Sequence, residues 1–282
     1  MTIHNARLRA LSAAGLLLAC LVAQASPARA DDGPPTPPRA IPLGRAIPRT
    51  FASYDALTAA AAAIASDQVA LFAQLTAARA DRDLAKSILT SVTDPRERGG
   101  LIRSEAHVSD GPALAAIRAD IAAAAATEAR LLERGASPTA PAPTWQRPLA
   151  GEVSQPFGPT YFGLEPARLY KGTYYWHFHE GVDVIAPAGT PIVAPARGRV
   201  VFAGRMGDGA EVVVLAHDNG LVSLYAHLDA GALAPTVKSG DLVEAGDRIG
   251  AVGLTGLTTG YHLHWAVYKN GEPLDPLSLL AQ

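Results

Sequence analysis

Six of the eight histidines fall between residues 177 and 264, and their spacing says more than their number. His262-Leu263-His264 lies in an alternating run, so a strand there would put both imidazoles on one face, about 6–7 Å apart along the backbone. Upstream, His179-Glu180-Gly181-Val182-Asp183 sets a histidine and a carboxylate four residues apart, with Gly181 free to take the backbone angles of a bend between them. Imidazole, carboxylate and imidazole suit zinc, and three protein ligands leave a fourth position open for water, the pattern of a catalytic site. A water there has its pKa lowered towards ~7 while the ion polarises a carbonyl, and peptide hydrolysis would use both effects. One member of the His262/His264 pair and His227, in Leu224-Tyr225-Ala226-His227-Leu228, remain to assist. The single cysteine, Cys20, excludes a thiolate cluster and a disulfide framework.

The elements that must position these side chains are β-rich. Nineteen of the 26 glycines lie between Gly151 and Gly271, where short apolar runs alternate with turn residues. The pattern predicts strands over Pro191 to Ala196, Arg199 to Ala203, Glu211 to Ala216, Leu221 to Ala226 and His262 to Tyr268. Asp218-Asn219-Gly220 is the hairpin turn between two of them. Antiparallel sheets in a sandwich or roll follow, and about 135 residues can bury roughly two thirds of their unfolded surface, enough to stand alone.

Ahead of this domain the composition shifts twice. Residues 1–30 read as a signal peptide: Arg7 and Arg9 form a basic start, Leu11 to Ala23 is apolar but too short to span a bilayer, and Ala28-Arg29-Ala30 is a small-x-small cleavage site. The alternatives are an uncleaved anchor and a lipid anchor through Cys20, because Leu17-Leu18-Ala19-Cys20 resembles a bacterial lipoprotein acylation site. Six prolines make residues 31–50 an extended linker. From Phe51 to about Val92 there is no glycine or proline, and Leu57, Ile64, Leu71, Leu75, Ala78, Ala85, Leu89 and Val92 fall near one helical stripe. Thr93-Asp94-Pro95 and Gly99-Gly100 end that helix. Asp110-Gly111-Pro112 starts a second, through about Arg134, with Leu114, Ile117, Ile121 and Leu131 on one face and Gly135 as its stop.

The region 51–135 is therefore expected to be an α-helical, coiled-coil-like hairpin. Its alanine-rich surface buries little area per residue, so it needs a partner or the downstream domain for stability. A proline-rich linker, 136–147, leads to the β domain, 148–282, and no transmembrane helix is expected in the mature chain. The formal net charge of −2 offers no footprint for a polyanion, so nucleic acid is not an expected partner.

Several ordered blocks carry a resemblance. His179-x-Gly181-x-Asp183, Ala186-Pro187-Ala188-Gly189-Thr190-Pro191-Ile192-Val193-Ala194, Tyr225-Ala226-His227-Leu228, Gly246-Asp247-Arg248-Ile249-Gly250 and Gly260-Tyr261-His262-Leu263-His264-Trp265 look like the lysostaphin-type (LytM-like) zinc metallopeptidases. The likeness covers about residues 151–280 and leaves out the helices. It implies a β-rich domain with a groove between antiparallel sheets and, as substrate, peptidoglycan cross-bridge or stem peptide. It implies one Zn2+ per chain, held by His179, Asp183 and His264, with His262 as general base on the metal-bound water. His227 would bind the developing oxyanion or orient the water. Some members place a tyrosine near the transition state, and Tyr174 and Tyr175 are the candidates. Action on peptidoglycan would put the protein in the periplasm, cell wall or extracellular space.

The remaining residues are read more plainly. His177 flanks the groove, His217 is structural, Glu180 points away from the site if the segment is extended, and Trp176, Phe178 and Trp265 pack in the core. The segment Pro159 to Tyr175 is long enough to form a groove wall. Three functional readings follow. The first is an exported zinc endopeptidase that cuts peptidoglycan cross-links. The second is a non-catalytic wall-binding protein, or an activator of a separate amidase through the helical arm; such relatives generally lack metal ligands. The third is a latent enzyme whose helices make an autoinhibitory contact.

Overall fold

The computed structural model of the chain describes residues 39–40, 48, 50–93, 112–142 and 144–280; the expected signal segment, Cys20, most of the first linker and the turn between the helices lie outside them. Helix α1, Tyr54–Thr93, runs for 40 residues. Ser53 caps it, its hydroxyl oxygen accepting the Ala56 N–H at 3.2 Å. Helix α2, Pro112–Glu133, has proline in its first turn and ends at Gly135, whose φ of 88° only glycine adopts freely. The Gly135 N–H donates to the Leu132 carbonyl and the Ala136 N–H to that of Leu131, and Leu131 and Ala136 share one apolar cluster. This is a Schellman termination with its hydrophobic contact. Two carbonyls left over at that end accept from arginines of the β domain: Arg199 donates to Arg134 at 3.0 Å and Arg197 to Gly135 at 3.2 Å. Guanidinium groups at a helix C-terminus also complement its dipole.

The sheet consists of β1 (Arg39–Ala40), β2 (Glu152–Gln155), β3 (Gly181–Ile185), β4 (Gly198–Arg205), β5 (Glu211–His217), β6 (Leu221–Ala226), β7 (Asp241–Val243), β8 (His262–Lys269) and β9 (Glu272–Leu274). Its order is β1-β7-β4-β5-β6-β8-β3-β2, with β9 beside the C-terminal half of β8, and every pairing is antiparallel. Shorter pairs, Gly158–Pro159 with Phe178–His179, Arg168–Tyr170 with Thr173–Tyr175, and Pro191–Val193 with Arg248–Ala251, flank it.

Each face of the sheet is buried against something different. Val213, Leu215, Tyr225, Leu263, Trp265 and Val267 face the core of the β domain with Trp145, Val182 and Ile192. The alternate residues, Val212, Val214, Ala216, Val222, Leu224, Ala226, Ala266 and Tyr268, pack against Leu57, Ala61, Ile64 and Ala65 of α1. Further along, Leu71, Leu75 and Ala78 turn to Leu131 and Ala136, so the same helix stripe serves the sheet first and α2 second. Glu128 of α2 pairs with Arg79 and Arg82 of α1. The helical region is thus anchored to the β domain. By length and composition α1 could also cross a bilayer.

Ile64 is fully enclosed at this contact, whereas Leu84, on the same helix, is 53% exposed. Ile64→Ala is expected to cost about 2–5 kcal/mol in urea unfolding, and Leu84→Ala less than about 0.5 kcal/mol. Equal, small costs would contradict the docking of α1 on the sheet.

Candidate metal centre

Side chains of β8 alternate, and His262, His264, Ala266 and Tyr268 share one face. In register, Asp183 of β3 lies opposite His264, and His264 lies opposite Ala226 of β6. Ala226, Ala266 and Tyr268 belong to the layer that meets α1, so the two histidines and Asp183 occupy the same face beyond the end of that layer. His179 enters from the adjoining two-residue strand and is fully buried.

These groups converge. His179 Nε2 lies 3.0 Å from His264 Nδ1 and 3.2 Å from Asp183 Oδ1, and His264 Nδ1 lies 3.0 Å from the same oxygen. Ligands about 2.05 Å from a tetrahedral zinc stand about 3.3 Å from one another, so the three atoms already approximate one face of such a tetrahedron. Backbone carbonyls set the tautomers. A carbonyl only accepts, so His179 Nδ1–H must donate to Pro156 at 3.1 Å, leaving the Nε2 lone pair towards Asp183 and His264. The donor set and its orientation fit zinc.

Two further imidazoles stand beside the three. His262 Nδ1 donates to the Gly260 carbonyl at 2.9 Å, and its Nε2 is 3.6 Å from Asp183 Oδ1. His227 donates from Nδ1 to the Thr255 carbonyl at 2.8 Å, and its ring centre is 4.8 Å from that of His262. His227 has φ of 63°, a left-handed conformation costly for a non-glycine residue. The Gly253 N–H donating to its carbonyl at 3.0 Å helps to hold it there.

Electrostatics follow the same contacts. Burial disfavours the Asp183 carboxylate, but the neighbouring His179 and His264 imidazoles outweigh it and hold the pKa below the usual range. Burial likewise opposes a charge on His179, and Asp183, Glu165 and the Pro156 carbonyl reverse the effect and raise its pKa. For His227 burial dominates and pushes the imidazole down to about 4.

Asp183, His227, His262 and His264 line an open cleft of about 570 Å³, with His179 buried behind them. Phe162, Leu164 and Glu165 line it, as do Leu257, Thr258 and Thr259 of the loop before β8, Leu224 and Ala226 of β6, and the first turn of α1. The segment from Pro159 therefore does contribute a wall. His177 is outside the metal cluster and donates from Nδ1 to the Glu165 carbonyl at 2.7 Å, fastening that wall. His217 is buried, paired with Ser223 Oγ at 2.7 Å, and pushed down to about 4 by burial.

Some expectations need correction. The strand breaks at Glu180, so its side chain lies on the cleft side, engaged by Arg168 and by the Tyr268 hydroxyl at 3.1 Å. Gly181 is not a bend: it starts β3, and its need for glycine is close packing, since a Cβ would lie 2.5 Å from the Trp265 carbonyl oxygen. Phe178 and Trp265 are core residues, but Trp176 is 76% exposed and stacks edge-on against Tyr174. Neither Tyr174 nor Tyr175 lines the cleft. Tyr54 and Asp55 of α1 do, and nothing in the local sequence marks them.

Residues 177–276 match the model of peptidase family M23, in agreement with the lysostaphin-type resemblance. Among curated relatives, the DD-carboxypeptidase/endopeptidase Mpg of Neisseria meningitidis serogroup B is 40% identical over 127 residues, 45% of this chain and 26% of that protein. The murein hydrolase activator NlpD of Salmonella dublin is 31% identical over 147 residues, 52% of this chain and 34% of that protein. The catalytic domain of the antimicrobial peptidase lysostaphin from Staphylococcus simulans is 30% identical and covers 45% of this chain and 90% of that one, with a TM-score of 0.37. The chain spans about a quarter to a third of the length of these curated relatives.

Because a methyl group at residue 181 would meet backbone, Gly181→Ala should push β3 away from β8 and separate Asp183 from His264. A stability loss of about 1–3 kcal/mol with weaker zinc retention is expected from thermal melts and metal analysis. Unchanged zinc affinity would mean that the strand register does not position the ligands.

Proposed function

We propose that this chain, through its M23 peptidase domain, is an exported zinc-dependent endopeptidase that hydrolyses peptide cross-links of bacterial peptidoglycan. The observation that carries the reading is the meeting of His179, Asp183 and His264 at 3.0–3.2 Å, beside His262 and His227, in an open cleft. The names of the relatives support the reading, since Mpg is called an endopeptidase and NlpD a murein hydrolase activator. Action on peptidoglycan supports the expected signal peptide in residues 1–30 and a periplasmic or cell-wall location, with lipidation at Cys20 as the alternative anchor.

His179 Nε2, Asp183 Oδ1 and His264 Nδ1 would hold one zinc ion. The bound ion supplies a Lewis acid for the peptide carbonyl and a water of lowered pKa. His262 is the general base: with Nδ1–H committed to Gly260, the Nε2 lone pair is free to take a proton on the Asp183 side of the site. His227 has the same tautomer, with Nδ1–H on Thr255. Its low pKa keeps Nε2 an acceptor at neutral pH, which favours orienting the attacking water over donating to an oxyanion. Asp183 is the one carboxylate of the set and would offset one of the two positive charges of the ion. Residues 148–282 form the catalytic region, with the helices of 51–135 packed on it.

A second reading is an activator of a separate amidase, favoured by the 31% identity to NlpD. The complete ligand set weighs against it. The two readings separate in one experiment with residues 31–282 and the same protein carrying His262→Ala. The wild type should bind about one zinc and release muropeptides from purified peptidoglycan. The variant should keep its zinc and lose about 10²–10⁴-fold in rate. A wild type that binds no zinc, or binds it and releases nothing, would overturn the enzyme reading.

A further inference from the structure

The cleft has a contributor outside the family-matched region. Tyr54 and Asp55, in the first turn of α1, line it together with Asp183, His227, His262 and His264. Their presence follows from sheet geometry: the face of β8 that carries His264 continues through Ala266 and Tyr268 into the layer covered by α1, so the helix end must abut the site. Leu224 and Ala226 of β6 form the floor shared by both.

This turn is fixed from several sides. Phe51 packs edge-on against Phe202, with ring centres 5.7 Å apart, and Leu57 is fully buried against the sheet. The Tyr54 hydroxyl reaches across to the loop between β4 and β5 and donates to Asp208 Oδ2 at 3.0 Å. Asp208 is itself oriented, its Oδ1 accepting the Ala210 N–H at 3.0 Å. Burial of α1 is already provided by Leu57, Ala61, Ile64 and Ala65, whereas the Tyr54–Asp208 pair lies in the lining of the cleft. The turn borders the cleft and leaves it open, so it acts as a boundary and does not plug the site.

We propose that the first turn of α1 is a substrate-selecting wall, in which Tyr54, held by Asp208, limits how much of the cross-linked peptide network can enter the cleft. The proposal rests on the endopeptidase reading for its substrate and assigns Tyr54 a contact with that substrate, but no part in the chemical step. A soluble cross-linked muropeptide dimer would fit against the wall and gain from touching it. Intact sacculi, in which the same cross-link is joined to glycan on both sides, would be hindered by it.

The test compares the zinc-loaded full chain with Tyr54→Ala and Tyr54→Phe, following release from intact sacculi and turnover of the soluble dimer. Tyr54→Ala should raise the sacculus-to-dimer rate ratio at least about threefold, with the dimer's KM rising more than its kcat falls; Tyr54→Phe, which keeps the ring, should change the ratio in the same direction by less. Zinc content and melting temperature report whether each variant is folded, and Tyr54→Phe keeps the test open if Tyr54→Ala is not. Calorimetry of the dimer in a His262→Ala background reads the wall without turnover, and adding either Tyr54 substitution should weaken binding. Equal loss on both substrates with unchanged dimer affinity would reduce Tyr54 to a helix anchor and overturn the proposal. Tyr54-dependent binding without hydrolysis by the wild type would sink the endopeptidase reading and leave the wall standing. A chain that cuts both substrates in one ratio whatever stands at residue 54 would do the reverse.

Discussion

Alternation along β8 is the constraint from which the rest of the arrangement follows. Residues two apart on a strand face the same way, so His262 and His264 share a face with Ala266 and Tyr268. Antiparallel register then brings Asp183 beside His264 from one neighbour and Ala226 from the other. A slip of one residue in either pairing would send a ligand to the opposite face, into the layer of Trp265 and Leu263. The metal-binding geometry and the packing of the core are therefore set by the same hydrogen-bonded ladder, and neither can change alone.

The same alternation explains why helices with weak cores of their own are found here. Alanine-rich α2 buries only Leu114 and Leu131 among its described residues, which is little for an isolated hairpin. The apolar face of β5, β6 and β8 supplies the missing partner, and α1 covers it with Leu57, Ala61, Ile64 and Ala65. At the other end, Arg197 and Arg199 take carbonyls at the α2 terminus. Arg199 is fully buried, and desolvation lowers its pKa to about 10, leaving it charged at neutral pH. Helices and sheet are thereby joined at both an apolar and a polar contact.

Much of this was legible in the residues. His262-Leu263-His264 needed only the two-residue period, and Leu221–Ala226 appears with the bounds that its apolar run predicts. Strands of three residues such as Asp241–Val243 are too short to carry a period. Asp183 was recognised by type and spacing, but not as part of a strand, because Gly181 reads locally as a bend and its actual reason, the Trp265 backbone, is 84 residues away in sequence. The α1 stripe was visible as one surface, while its division between sheet and α2 depends on partners that a helical period does not name. Tyr54 was silent for the same reason: its bond to Asp208 spans 154 positions. The carbonyls of Pro156, Thr255 and Gly260, which orient three of the imidazoles, belong to the backbone and have no side-chain signature.

The central claim is that the strand register presents one preformed set of three ligands, with His262 and His227 beside it and not in it. An anomalous-scattering crystal structure of the zinc-loaded full chain tests this most directly. The account predicts one ion per chain, bound by His179 Nε2, Asp183 Oδ1 and His264 Nδ1, with His262 and His227 still donating to Gly260 and Thr255. An ion held by His262 or His227, or one bound elsewhere with the three ligands apart, would contradict it.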